Sequence, residues 1–155
     1  MRRREPTESG RSEGARNVID KSRGTASQPI LHSVSAQLFV AEIRTSCDFF
    51  TGKLGFVADF VYGDPPFYAQ VTRDNARLAL RQVDEPVFVG DIREREELLS
   101  ASITVKSSEE IESLFLSYQA AKVPFHQKLR TEPWGARTFI VKDPDGNLIL
   151  FAGPA

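Results

Sequence analysis

The feature that most constrains the fold of this chain is a pattern of one strand, one helix and three strands that occurs twice. In the first copy, the sequence predicts a strand at 37–42, a helix from Thr45 that ends at Gly55, and strands at 57–62, 68–72 and 76–82. In the second copy, it predicts strands at 102–106, 123–128, 138–142 and 148–152. The second helix begins with a capping box of Ser107 and Glu110. The repeated pattern predicts an α+β fold made of two βαβββ modules.

The two modules are expected to form one domain of residues 29–155, with module one at 33–82, a linker at 83–98 and module two at 99–155. Residues 1–28 are rich in Arg, Glu, Ser and Gly, a composition that predicts a disordered tail. One βαβββ module leaves a sheet face uncovered and is too small to bury a sufficient core. We therefore expect two modules to pair, within or between chains, as cupped mixed sheets around a cleft, which is the usual place for a small ligand.

Charge is divided unevenly along the chain, although the formal net charge is only −1. Residues 1–24 carry seven Lys or Arg against four acids, and the remainder carries thirteen against seventeen. The acidic body argues against a nucleic-acid partner, whose phosphates require clustered cations, and favours a cationic ligand. No apolar run approaches the roughly 20 residues that cross a bilayer, so no membrane partner is expected. The single cysteine, Cys47, suits a cytoplasmic protein and is expected to pack in the core.

Several motifs of the two copies resemble one known superfamily. The segments Val40-Ala41-Glu42, Phe49-Phe50 and Lys53-Leu54-Gly55-Phe56 resemble the opening of the glyoxalase, bleomycin-resistance and extradiol dioxygenase superfamily, also called the vicinal oxygen chelate (VOC) superfamily. The closing turn of that superfamily is similar to Asp143-Pro144-Asp145-Gly146-Asn147. Asp59-Phe60-Val61, the run from Tyr68 to Asp74, and Pro133-Trp134-Gly135 resemble its bleomycin-resistance branch most. The resemblance implies a homodimer that sequesters a flat, cationic antibiotic in clefts at its interface.

The resemblance also shows where catalytic members of the superfamily hold a divalent metal. By register against the motifs, the first-strand ligand positions fall on Ser35 and Ser100. The last-strand positions fall on Ala79, or a neighbour between Leu78 and Arg81, and on Leu150, and none of these is a usual metal ligand. We therefore expect no metal, no cofactor and no catalytic residue. The alternative is a metal-dependent lyase, isomerase or dioxygenase with an altered ligand set, for which His32, His126 and Glu132 are the candidates.

Aromatic side chains are the predicted binding residues, because their faces stack on planar heterocycles and attract cations. Carried over by motif, Tyr68 and Trp134 are the stacking residues, and Phe60, Tyr62 and Phe67 extend the wall. Asp64 and Asp59 are candidates for binding a cationic group, and Arg137 for orienting an anionic or carbonyl group. The leading hypothesis is a non-enzymatic, dimeric binder of a bleomycin-like or other planar aromatic compound. A third hypothesis is a regulatory or immunity-like protein that binds its partner through the acidic linker.

Overall fold

The first module forms a four-stranded sheet with one helix on it. The computed structural model describes residues 29–155, and the tail predicted at 1–28 lies outside the described residues. The elements of the first module are β1 (Ala36–Val40), α1 (Ile43–Leu54), β2 (Val57–Gly63), β3 (Pro66–Arg73) and β4 (Ala76–Gln82). The strand order is β1-β4-β3-β2, with β1 parallel to β4 and the other neighbours antiparallel. The pairing of β2 with β3 shifts register twice, between Ala58 and Phe60 and between Tyr62 and Gly63.

The second module repeats the arrangement. It follows a short helix in the linker, and the remaining elements are α2 (Ile92–Arg95), β5 (Leu99–Thr104), α3 (Ser108–Ala120), β6 (Phe125–Thr131), β7 (Ala136–Lys142) and β8 (Leu148–Pro154). The second sheet has the order β5-β8-β7-β6, which is the same order in equivalent strands. Two four-stranded mixed sheets with helices confirm the predicted α+β fold of two βαβββ modules.

Side-chain capping explains where both long helices begin. Glu42, predicted as the last residue of the first strand, is instead the N-cap of α1, because its carboxylate accepts hydrogen bonds from the backbone N–H groups of Arg44 (2.9 Å) and Thr45 (2.6 Å). Gly55 ends α1 with φ of 72°, so the predicted left-handed C-cap is confirmed. The capping box of Ser107 and Glu110 is likewise confirmed at the start of α3.

Two strands of the second module lie elsewhere than predicted, and α2 was not predicted. The strand predicted at 102–106 ends at Thr104, because the N–H groups of Lys106 and Ser107 both donate to the Glu110 carboxylate instead of joining a sheet. The strand predicted at 123–128 begins at Phe125, since the N–H of Val123 donates to the Tyr118 carbonyl in the turn after α3. Pro124 follows and has no N–H to give to a ladder.

Alternation along the strands divides each sheet into a helix face and an opposite face. In the first sheet, Leu38, Val40, Ala69, Val71, Leu78 and Leu80 are at most 2% exposed and pack with α1. In the second sheet, Phe139, Val141, Ile149 and Phe151 do the same beneath α3. The core positions predicted for Phe50, Phe56, Phe139 and Phe151, and for Cys47, are confirmed. We call the face opposite the helix the open face of the first sheet; the corresponding face of the second sheet holds the buried Ile140 and Leu148.

Side chains of the turn between β7 and β8 join the two modules. The Asn147 amide donates to the Phe39 carbonyl at the end of β1 (3.0 Å), and the Ala41 N–H donates to the Asp145 carboxylate (2.8 Å). Within the turn, Asp143 accepts from the Asn147 N–H (2.7 Å) and the Asn147 amide (2.8 Å). The closing motif of the sequence is therefore both a turn and the joint between the modules.

A second joint lies on the helix side. The buried Tyr118 of α3 donates its hydroxyl to the Leu54 carbonyl at the end of α1 (3.2 Å), and Arg73 donates to both groups. Burial raises the pKa of Tyr118 to about 12. Residues Ser33–Ala155 form one compact unit with both modules in it. Between residues 29 and 155, no helix has the length and apolar character that spanning a membrane would require.

Candidate functional site

The open face of the first sheet carries most of the predicted binding residues. Ala69 and Val71 point to the core, so Tyr68, Gln70 and Thr72 lie on the open face by alternation. On β2, the cross-strand partners of Gln70 and Tyr68 are Phe60 and Tyr62. The structure therefore brings together Tyr68, Phe60 and Tyr62, as the sequence predicts.

The aromatic rings near the β2–β3 turn form two contacting pairs, and Phe67, unlike Tyr68, has the parity of the buried Ala69 and Val71. Phe60 stacks on Tyr68 with ring centroids 5.9 Å apart and planes inclined by 29°, and Tyr62 meets Phe67 edge to face at 5.4 Å. Phe60 is 46% exposed, Tyr62 64% and Phe67 53%. We call Phe60, Tyr62, Phe67 and Tyr68 the aromatic patch. Large apolar rings exposed together on one surface mark a binding site for a ligand or for another protein.

Asp59 lies on the same face, where two neighbouring side chains donate hydrogen bonds to its carboxylate. Its carboxylate accepts hydrogen bonds from the Gln70 amide and the Thr72 hydroxyl, each at 2.8 Å. The hydrogen bonds from Gln70 and Thr72 hold the pKa of Asp59 below its usual value. Asp59 thus fixes the orientation of the Gln70 and Thr72 side chains on the open face. Asp64 lies in the exposed turn between β2 and β3, and no described residue donates a hydrogen bond to it.

Trp134 and Arg137 lie apart from the aromatic patch. Trp134 is at the β6–β7 turn of the second module, where it is 74% exposed and pairs with no other aromatic ring of residues 29–155. Arg137 shares the core-facing parity of Phe139 and points to α3, donating to Ser108 (3.2 Å) and Glu112 (3.1 Å). The role predicted for Arg137 would require the opposite face of the sheet, since period-2 alternation turns it toward α3.

Arg81 and Phe39, also on the open face, were not predicted as site residues. Arg81 of β4 is the cross-strand partner of Tyr68 on one side and of Phe39 on the other. Arg81 is exposed, whereas its neighbour Leu80 is fully buried. The alternation from Leu78 to Arg81 in the sequence is the signal that places Arg81 on the open face.

The residues at the family's metal-ligand positions do not fit a metal ion. Ser35, Ala79, Ser100 and Leu150 have no imidazole or carboxylate group, and within the described range no three His, Cys, Asp or Glu side chains are grouped so that they could hold an ion. Of the alternative ligands, His126 Nε2 lies 3.3 Å from the Glu97 carboxylate. Glu132 instead accepts from Thr138 (2.6 Å) and Arg130 (2.8 Å), and the hydrogen bonds from Arg130 and Thr138 lower its pKa.

The acidic linker is partly neutralised by contacts with the second module. Arg93 stacks over the Phe88 ring at 4.4 Å and donates to the Asp145 carbonyl (3.1 Å), and Lys142 pairs with Glu94. These contacts close a cavity of about 220 Å³ beneath the linker. A larger open groove, of about 1250 Å³, runs between the β3–β4 turn and α3. Neither concavity is lined by the aromatic patch or by Trp134.

Comparison with solved structures shows the same architecture in distant relatives. A glyoxalase/bleomycin resistance protein/dioxygenase from Alicyclobacillus acidocaldarius is 17% identical with a TM-score of 0.63, and the match covers 79% of this chain and 91% of that one. The bleomycin-binding protein of bleomycin-producing Streptomyces verticillus, solved with copper(II)-bleomycin, is 20% identical with a TM-score of 0.59, covering 83% and 100%. TioX from Micromonospora sp. ML1 is 20% identical with a TM-score of 0.57, covering 80% and 97%. Such low identities establish the fold and leave the function open.

At the level of sequence, no curated protein matches this chain. A family model does match it, the one described as the Glyoxalase/Bleomycin resistance protein/Dioxygenase superfamily, over residues 30–151. The match spans both modules, including the aromatic patch and the joint at Asn147. The chain belongs to the glyoxalase/bleomycin resistance protein/dioxygenase superfamily.

Proposed function

We propose that this protein is a non-enzymatic binding protein that sequesters a planar aromatic compound in the cytoplasm, as in the bleomycin-resistance branch of its superfamily. The observation that carries the proposal is the aromatic patch on the open face. Burying such a patch against a flat ring gains stacking energy of about 0.5–1.5 kcal/mol per aromatic pair, in addition to the hydrophobic gain. The solved relative from Streptomyces verticillus, which binds bleomycin, supports this assignment.

Turnover is not proposed, because residues 29–155 supply no grouped donor set for the metal chemistry of the superfamily. The four ligand positions carry hydroxyl, methyl or isobutyl groups, and hydroxyl side chains are poor ligands beside imidazole and carboxylate. Cys47 is buried and its pKa is raised by that burial, so its thiol is a poor nucleophile. The proposal therefore assigns binding, not turnover, to the open face.

A second copy of the chain is proposed as the other wall of the ligand cleft. The aromatic patch lies outside the cavity beneath the linker and the groove beside α3, and neither encloses a ligand stacked on Tyr68. Ligand sites usually bury most of the ligand surface, which requires a second wall. Trp134, exposed on the other module, is the candidate residue for the partner's contribution to that wall.

The test is a titration of metal-free protein with 2-naphthamide and with metal-free bleomycin, followed by calorimetry and by the fluorescence of Trp134, the only tryptophan. We expect saturable binding of planar compounds at about one molecule per chain. Tyr68→Ala should weaken it about tenfold, as for the loss of one good stacking contact. Phe88→Ala, an aromatic deletion in the linker, is the matched control and should leave the affinity unchanged.

The same samples test the pairing of two copies. Sedimentation equilibrium should give twice the chain mass of 17.3 kDa. A monomer that binds no planar compound would contradict the proposed function. Saturable binding of metal-free bleomycin in the same titration would show that the protein binds ligands of the bleomycin type. Stoichiometric metal in the purified protein, together with turnover of a substrate, would show that the protein is an enzyme and contradict the proposed binding function.

A further inference from the structure

A guanidinium group lies in register between aromatic residues on the open face of the first sheet. Across the four strands, one row of residues runs Phe39 on β1, Arg81 on β4, Tyr68 on β3 and Tyr62 on β2. Phe39, Arg81 and Tyr68 have the parity opposite to the buried Leu38, Leu80 and Ala69 beside them, although Ala79, which shares the parity of Arg81, is also buried. Tyr62 lies on β2, which is exposed along its whole length. The row therefore presents one cation with an aromatic ring on each side.

Arg81 is free for an external partner, in contrast to other arginines of the chain. Among the described residues, none forms an ion pair or a hydrogen bond with the Arg81 guanidinium. By comparison, Arg73 is held by the Leu54 carbonyl, and Arg137 by Ser108 and Glu112. A guanidinium presents five N–H donors in a planar fork, so an unoccupied one beside an aromatic patch is ready to bind an anionic group.

The charges on this face favour an anion over a cation. Asp59 is the acidic residue within the described strands β1–β4, and its oxygens already accept from Gln70 and Thr72. Arg77, which has the same parity on β4 as Arg81, helps to lower the pKa of Asp59, so these two opposite charges offset each other and Arg81 is left as the unbalanced cation. The local surface beside Tyr68 is therefore positive, although the body of the protein carries more acids than bases. Local charge at the contact decides which ligand is attracted, because screening weakens distant charges.

Distances across the sheet match one flat molecule. The Cα atoms of residues directly opposite each other on neighbouring strands are about 4.5–5.5 Å apart. A bicyclic ring that stacks on Tyr68 and Phe60 can therefore carry a ring substituent to Arg81, one strand away. A carboxylate or sulfonate at that point accepts two parallel hydrogen bonds from the guanidinium.

We propose that the ligand of this protein is a planar aromatic anion, whose ring lies on Tyr68 and Phe60 and whose carboxylate or sulfonate binds Arg81. This inference rests on the proposed function and replaces the cationic ligand expected from the sequence. Arg81 sets the charge preference, and the aromatic patch supplies the stacking surface. Phe39, on the far side of Arg81, limits where the anionic group can lie.

The test compares three probes that share one ring system and differ in charge: 2-naphthoate, 2-naphthamide and 2-naphthylmethylammonium. Calorimetric titrations of the full chain should rank the anion first and the cation last, with the anion about tenfold tighter than the amide, equivalent to 1.4 kcal/mol. Arg81→Gln should raise the Kd for 2-naphthoate about tenfold and change that for 2-naphthamide less than about twofold. Arg81 is exposed, so this substitution should keep the circular dichroism spectrum and the unfolding midpoint of the wild type.

Arg77→Gln is the matched control, because it removes the same charge from the same strand, four residues or about 13 Å away. It should change the Kd for 2-naphthoate by less than about twofold, which separates a direct contact from a general field effect. Equal binding of the anion and the cation, or unchanged 2-naphthoate binding by Arg81→Gln, would overturn the inference and leave the proposed function standing. Failure of all three probes to bind would reject both.

Discussion

Replacement of Asn147 by Asp is a sharp test of the joint between the modules. Asn147 is 2% exposed, and its amide donates to the Phe39 carbonyl (3.0 Å) and to the Asp143 carboxylate (2.8 Å). Asp has the same shape but no amide donor, so both hydrogen bonds are lost and two buried carboxylates face each other. The two hydrogen bonds are worth about 0.5–1.5 kcal/mol each. A further rise of one pKa unit adds about 1.4 kcal/mol, so Asn147→Asp should lower the free energy of unfolding by about 3 kcal/mol at pH 7.5.

The cost of Asn147→Asp should depend on pH with a defined sign. In the wild type, burial raises the pKa of Asp143 to about 6, although hydrogen bonds from Asn147 partly oppose the rise. The second carboxylate removes the side-chain hydrogen bond to Asp143, leaves that from the backbone N–H and adds a negative charge, so the folded-state pKa of Asp143 rises further above the unfolded value. The penalty is then full above the folded-state pKa and shrinks as pH falls through it. Between pH 7.5 and pH 5 we expect about half of the loss to be recovered.

Urea unfolding followed by circular dichroism at both pH values measures the two free energies. Asn75→Asp, the same substitution in the exposed turn between β3 and β4, is the matched control and should change the free energy of unfolding by less than about 0.5 kcal/mol. The reasoning is refuted if Asn147→Asp is as stable as Asn75→Asp, or if its deficit does not shrink between pH 7.5 and pH 5.

Two further predictions concern the core. Phe139 is fully buried and contacts the rings of Tyr118, Phe125 and Phe151, so Phe139→Ala should lower the free energy of unfolding by about 3–5 kcal/mol in urea. Phe67→Ala, at a 53% exposed ring, should cost less than about 1 kcal/mol, and equal costs would contradict the assigned core. Cys47 is 9% exposed and burial raises the pKa of its thiol, so a thiol reagent such as DTNB should label it far more slowly in native protein than in urea. Rapid native labelling would show that this part of the core opens readily.

The fold was predictable because its two copies follow simple periods. The alternation of Leu38 with Val40 and the capping box of Ser107 and Glu110 appear directly in the sequence, and both are local features. Two of the errors fall where a side chain binds backbone N–H groups at the start of a helix, as Glu42 does for Arg44 and Thr45 and Glu110 for Lys106 and Ser107. Sequence periodicity does not show such competition between a cap and a sheet.

The candidate site was predictable only in part. Tyr68, Phe60 and Tyr62 come together because neighbouring strands of one module place them so. Arg137 was a candidate for orienting an anionic or carbonyl group of the ligand, whereas the parity it shares with Phe139 turns it toward α3. The joint made by Asn147 was also missed, since a contact between residues 39 and 147 depends on how two modules pack. Long-range packing of this kind leaves no periodic trace in the sequence.

The irregular edge strand β2 restricts how copies of this protein can associate. Val57, Val61 and Tyr62 are 66%, 48% and 64% exposed, and a straight edge strand of this composition would invite another chain to add a strand and grow an aggregate. The two register shifts bend the strand, Asp59 places a charge on it, and Pro65 and Pro66 follow its end without an N–H to offer. Association through stacked faces, which closes after two copies, is therefore favoured over strand addition, which has no end.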